Sequence, residues 1–292
     1  MWFILKVVIF FSFVLTAISY TIFAYERLNT HYRVEPRKLF FSFLKEFLAY
    51  IYLFLSWIFG FFSYENYIPR KRGGVKIPTF IIPGYFLNRA SVFFLFYMLR
   101  NRGFENIYVI NPHPFMGSID NIASNCARVI KQILENLAIE NKEVFLVGHS
   151  LGGLVAKYIA ENKEDFGLDV QGCVTICSPN SGTKIAVFGI GKNTSEITTS
   201  SEFVKKYQQV KNPSLYFCIG AEYDQLTIPY ESSFIDGAAK FELESAGHFS
   251  PLFSQAVADA IFEFLKMREK NILYEESFSS DFSESLTSQP NL

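Results

Sequence analysis

The segment Val144 to Lys157, VFLVGHSLGGLVAK, holds a serine with a glycine two residues to either side, Gly148 and Gly152, where an apolar strand-like run gives way to a helix-like one. A serine at such a strand-turn-helix junction sits on strained backbone above the end of its strand. The glycines let strand and helix approach without a clash of β-carbons. The hydroxyl also lies at a helix N-terminus, where free backbone N–H groups favour developing negative charge. Attack by Ser150 on an acyl carbon is the chemistry this setting permits. Because a serine hydroxyl is a poor nucleophile at neutral pH, the chain must also supply a base and a group to orient it.

The chain has four histidines. His31 falls between two apolar N-terminal blocks and His149 inside the junction, leaving His113 and His248 as candidate bases. His248, in SAGHFSPL, lies in a loop before the closing helix-like segment and downstream of Ser150, in the chain order serine, acid, histidine. His113, in NPHPFMGS, precedes the serine and reads as a loop residue shaping a rim. Asp224, in LYFCIGAEYDQLTIP, follows a strand-like run and is the preferred acid over Glu222 and Asp236, the turn closed by Pro229 bringing it toward the site. Two backbone donors must face the carbonyl oxygen as it gains charge. Leu151 N–H is one. The loop after TFIIPG supplies the other, from Tyr85 with Phe86 as the alternative, and Gly84 gives that loop its freedom.

These residues need a scaffold, and the pattern from Lys76 onward provides one. Short apolar runs (KIPTFIIPG, ENIYVINP, EVFLV, VQGCVTIC, SLYFCIG) alternate with helix-period segments such as IDNIASNCARVIKQILENLAI and SQAVADAIFEFLKM. Alternation of this kind implies an α/β fold with a mostly parallel sheet and helices on both faces. The catalytic unit is expected over residues 75–268, after a linker over 63–74. The segment Lys184 to Asn212 is long enough for a cap or lid, and the polar, serine-rich residues 271–292 read as a disordered tail.

Of 292 residues, half are apolar and 33 are phenylalanine, while the formal net charge of −1 provides no basic field for nucleic acid. The four cysteines lack metal-ligand spacing and read as buried small hydrophobes. Within residues 1–25 the uncharged run from Val7 to Ala24 is long enough for a transmembrane anchor; a cleaved signal peptide is the competing reading, disfavoured by the length of the run and the lack of a small-x-small cleavage site after it. A second apolar block over 39–62, broken by Lys45 and Glu46, fits another span or an interfacial helix. Arg27, Arg33, Arg37 and Lys38 between the blocks, with Arg70, Lys71 and Arg72 after them, favour a cytoplasmic globular part.

The stretch Lys76 to Phe264 resembles the α/β-hydrolase superfamily, and within it bacterial lipases and esterases carrying GHSLGG. The likeness runs through IPGYFLNRASVFFLFYMLRNRGF, NPHPFMGSIDNIA and TICSPNSGT. It looks closest to a membrane-anchored branch, which implies a bacterial inner-membrane setting. The resemblance implies Ser150 as nucleophile, Asp224 as acid, His248 as base, and Tyr85 with Leu151 as oxyanion donors. Two departures stand out: PG replaces the usual HG before the oxyanion loop, and Asn180 and Ser181 replace twin histidines. No pair of aspartates suggests the calcium site of some secreted lipases, so neither metal nor cofactor is expected. The expectation is a membrane-anchored serine hydrolase acting on lipid or other acyl esters. An acyltransferase on the same residues and a non-catalytic, membrane-tethered binding protein are the alternatives.

Overall fold

The computed structural model describes residues 2–30, 33–65, 68, 73–139 and 142–287, with side chains through residue 274. His31, most of the stretch 66–72 and the end of the tail, 288–292, lie outside the described residues.

In chain order the elements are α1 (Trp2–Asn29), α2 (Pro36–Ser56), β1 (Thr79–Ile82), α3 (Phe93–Arg102), β2 (Ile107–Val109), α4 (Ile119–Asn136), β3 (Glu143–His149), α5 (Leu151–Glu161) and α6 (Lys163–Phe166). There follow β4 (Asp169–Ile176), α7 (Lys192–Glu196), α8 (Glu202–Tyr207), β5 (Tyr216–Ala221), β6 (Ala239–Leu243) and α9 (Gln255–Thr287). Every strand pairing is parallel, in the order β2-β1-β3-β4-β5-β6. Parallel strands require crossovers, and the crossover helices cover both faces, which is why β1 and β5 are buried throughout instead of alternating.

Each face has its own core. On one, α4 presents Ile122, Cys126, Ile130 and Leu134 at four-residue spacing against Leu154 and Ile159 of α5 and Phe80, Leu146 and Val170 of the sheet. On the other, Leu95 and Leu99 of α3 and Val257, Ile261 and Leu265 of α9 pack on Ile81, Phe145, Val147 and Val174. All four cysteines are buried and unpaired. Helix α9 continues through the segment expected to be a disordered tail, as far as Thr287, and neither glycine nor proline interrupts the sequence before Pro290.

The N-terminal helices are long and apolar enough to cross a membrane, over Trp2–Asn29 and Pro36–Phe61. They pack together as a hairpin lying along the carboxyl edge of the sheet. On α1 the buried positions Ser12, Thr16, Ser19, Tyr20, Phe23 and Arg27 make one stripe, and on α2 they are Ser42, Glu46, Ala49 and Leu53. Tyr20 Oη meets Ser42 Oγ at 2.5 Å between the helices. Contacts with the domain run the length of the hairpin. Arg27 Nη2 donates to the Glu222 carbonyl, Lys45 Nζ to the Ser245 carbonyl, and Tyr52 Oη to the Ala90 carbonyl. The stretch read as a linker is also fastened where it is described: Glu65 accepts from Val109 N–H, and Arg100 donates to the Glu65 and Ile68 carbonyls.

Candidate active site

Between β3 and α5 the chain turns at Ser150 with φ 55° and ψ −126°. A non-glycine residue there is strained by about 1–3 kcal/mol, which the surrounding packing must hold. The glycines explain how. A β-carbon on Gly152 would stand 2.1 Å from the Ile82 carbonyl oxygen, and one on Gly148 would stand 2.3 Å from the Gly152 carbonyl oxygen. No side chain fits at either position. Gly84, in the loop after β1, sits over the serine, since its β-carbon would meet Ser150 Cβ at 2.9 Å.

Asp224 follows β5 and is fully buried. Its Oδ1 accepts the N–H groups of Leu226 at 2.8 Å and Thr227 at 2.7 Å, which fixes the carboxylate in the turn. His248 Nδ1 lies 2.9 and 3.0 Å from the two carboxylate oxygens. A carboxylate only accepts, so Nδ1 carries the proton and Nε2 is left as the basic nitrogen. Cys177, Asp224 and His248 offer ligand atoms within 4.8 Å of one another. The carboxylate is already engaged with two backbone N–H groups and the imidazole, so the cluster is satisfied as a hydrogen-bonded pair beside a buried thiol.

Ser150, Leu151, Tyr85 and His248 border a single cavity of about 410 Å³. Asp224 stands behind the imidazole, outside that wall. Among the described residues, neither Leu151 N–H nor Tyr85 N–H donates to a protein acceptor, and no hydrogen bond joins Ser150 to the imidazole. In unliganded hydrolytic sites such contacts tighten when substrate binds. Ile185, Ala186, Phe188 and Ile197 close one side of the cavity, so the segment expected to be a cap does cover it. Tyr85 fastens that segment to the loop after β1: its hydroxyl donates to the Ile190 carbonyl at 2.6 Å and accepts from Ile190 N–H at 3.0 Å. Leu15 of α1 lines the cavity as well.

The rival acids stand elsewhere. Glu222 lies near Lys38, and Asp236 is on an exposed turn. His113 lies beside Phe115 and is not part of the cavity wall. Asn180, which stands where the resemblance has a histidine, is buried: its amide donates to Thr175 Oγ1 and the Ser233 carbonyl, and its own carbonyl accepts from the buried Lys157. Burial pulls the Lys157 ammonium down to about 8.

Three residues that sequence reading passed over support this arrangement. His149 Nε2 lies 2.9 Å from the His248 carbonyl oxygen, and burial together with the neighbouring imidazole pulls its pKa down to about 3, so it is neutral and donates. Gln225 Oε1 accepts His248 N–H at 3.1 Å. Glu46 of α2 accepts from Gln225 Nε2 at 3.0 Å. A carboxyl group that interrupts an apolar helix and a histidine inside the GHSLG motif are the signals that point to two of them.

Residues 117–229 match the PGAP1-like alpha/beta domain family. No curated protein matches the chain. Among solved structures, the mature form of Bacillus licheniformis lipase BlEst2 is similar with a TM-score of 0.57 at 15% identity, over 68% of this chain and 96% of that one. Aspergillus fumigatus lipase B is similar with a TM-score of 0.56 at 15% identity, over 67% of this chain and 54% of that one, so this chain spans about half that lipase's length. At such identities the likeness is one of fold. With its parallel six-stranded sheet, its match to the PGAP1-like domain and these lipase neighbours, the chain has the α/β-hydrolase fold.

Proposed function

We propose that the protein is a membrane-anchored serine hydrolase that cleaves carboxylic esters of lipids through an acyl-enzyme. One observation carries the reading: an imidazole held through Nδ1 by a buried carboxylate shares a cavity with a serine on a strained turn and with two unengaged backbone N–H groups. In the proposed reaction His248 Nε2 takes the Ser150 proton as Oγ attacks the ester carbonyl carbon. The oxyanion is met by the N–H groups of Leu151 and Tyr85. The imidazolium, stabilised by Asp224, returns its proton to the leaving alkoxide and frees the alcohol. Water, deprotonated by the same imidazole, then attacks the acyl carbon, and the imidazolium returns that proton to Ser150 Oγ as the carboxylic acid leaves.

The lipid class follows from the walls. Leucine, isoleucine and phenylalanine supply eight of the seventeen residues that line the cavity, and Leu15 brings α1 into it. Around it the cap exposes Val187, Phe188 and Ile190 at 69%, 72% and 69%, an apolar rim next to the apolar outer face of the hairpin. A mouth built this way takes an acyl chain from a bilayer more readily than a polar ester from solution. Arg33 and Arg37 at the hairpin turn favour a cytoplasmic side for that turn and for the catalytic domain.

The test is covalent labelling by a fluorophosphonate, with turnover of p-nitrophenyl esters of graded acyl length. Wild-type protein labels and prefers medium or long chains, and Ser150→Ala does not label. Folded wild-type protein that never labels would be a binding protein with a hydrolase fold, and the proposal would be withdrawn.

A further inference from the structure

Glu46 is the one carboxylate in α2, and it is fully buried. Its oxygens accept from Phe249 N–H at 3.0 and 3.1 Å, Ser250 N–H at 2.7 Å and Gln225 Nε2 at 3.0 Å. Phe249 and Ser250 follow His248, and Gln225 follows Asp224. The Gln225 amide has one consistent orientation, because its NH2 faces the Glu46 carboxylate while its oxygen takes His248 N–H at 3.1 Å. Packing is tight here as well: a β-carbon on Gly247 would fall 2.4 Å from Glu46 Cγ. One carboxylate on α2 therefore joins the loop of the acid to the loop of the base, across about two hundred residues of sequence.

We propose that Glu46 is a positioning residue, through which the N-terminal hairpin sets the orientation of the His248 imidazole toward Ser150. The inference rests on the reading of His248 as general base. Three backbone or amide donors converge on Glu46, and only an acceptor-only group of that length satisfies them all. An alanine leaves those donors buried without partners, and the two loops are free to shift. A displacement of about 1 Å at a base of this kind costs about a hundredfold in turnover. A glutamine keeps one accepting oxygen and turns an NH2 toward the other donors, so its loss is smaller.

The experiment uses the full chain in detergent or vesicles, with wild type, Glu46→Ala, Glu46→Gln and His248→Ala. End-point fluorophosphonate labelling counts competent sites, and steady-state hydrolysis of a p-nitrophenyl ester gives kcat per counted site and KM. The expected result is a kcat per site lower by about a hundredfold in Glu46→Ala and about tenfold in Glu46→Gln, with KM within about twofold of wild type. A purely structural role would lower the number of sites and leave kcat per site intact. That outcome, or a wild-type kcat per site in both variants, overturns the proposal. Full activity in His248→Ala rejects the base itself, and wild-type protein that neither labels nor turns over rejects the hydrolase reading; the inference falls with either, by a different observation in each case.

Discussion

The imidazole of His149 donates from Nε2 to the backbone carbonyl of His248 at 2.9 Å, so the residue before the proposed nucleophile holds the residue proposed as base. Its Nδ1 is buried without a partner, and Gly84 packs close to that nitrogen. A proton there would meet burial on every side and the second imidazole.

Stability below neutral pH should therefore report on His149. Its pKa is near 6.5 in the unfolded chain and depressed to about 3 in the fold, so the unfolded state takes up a proton that the folded state refuses. The contribution is complete above pH 6.5 and is lost as pH falls toward 3. At pH 4 the loss amounts to at most about 3 kcal/mol. His149→Gln, which keeps a donor for the His248 carbonyl, should shed less stability than wild type between pH 7 and pH 4, read as the shift in urea midpoint. Equal shifts in the two proteins would remove His149 from the account.

The proposed acid–base roles separate cleanly by substitution. Ser150→Ala and His248→Ala should abolish hydrolysis of a p-nitrophenyl ester, and Asp224→Asn should lower it by about three to four orders of magnitude. Glu222→Gln and Asp236→Asn should leave kcat within about twofold, because neither carboxylate touches the imidazole. A large loss in Glu222→Gln with activity kept in Asp224→Asn would move the acid to the other residue.

Glycines at the turn differ from glycines elsewhere in what they would meet. Gly152→Ala drives a methyl group into the Ile82 and Pro83 carbonyl oxygens, and the expected destabilisation is about 3 kcal/mol or outright failure to fold. Gly167→Ala has open space and pays only for its positive φ, about 1 kcal/mol. Thermal unfolding of the two variants side by side tests the contrast, which would collapse if they melted together.

Leu15 offers a probe of acyl-chain selection. Leu15→Trp narrows the cavity from the α1 side, and kcat/KM for a decanoyl ester should drop about tenfold relative to a butyryl ester. An unchanged ratio would show that acyl chains do not run past α1.

Five of the six strands were legible because parallel strands, covered on both faces, appear as continuous apolar runs; β6 was not, because AKFEL lies largely exposed at the sheet edge and carries no such run. The placement of Ser150, Asp224 and His248 on one edge of the sheet was legible because each follows the carboxyl end of a strand or precedes the last helix, where this topology puts loops. The docking of the hairpin was not. Lys45 and Glu46 read as an interruption of an apolar block, since a lone charged pair carries no mark of a partner two hundred residues away. A subtler mark was present in Ser12, Thr16 and Ser19, whose spacing of three and four draws a polar stripe down α1 on the side that turns inward.

Because α1 and α2 are seated on the domain and one of them forms part of the cavity wall, cutting the chain between residues 63 and 74 would not release an intact α/β domain. It would bare the greasy seat beneath the helices around Tyr223, Ile228 and Phe249 and open the pocket sideways. Crystallisation and expression strategies for this protein should keep the hairpin and solubilise around it.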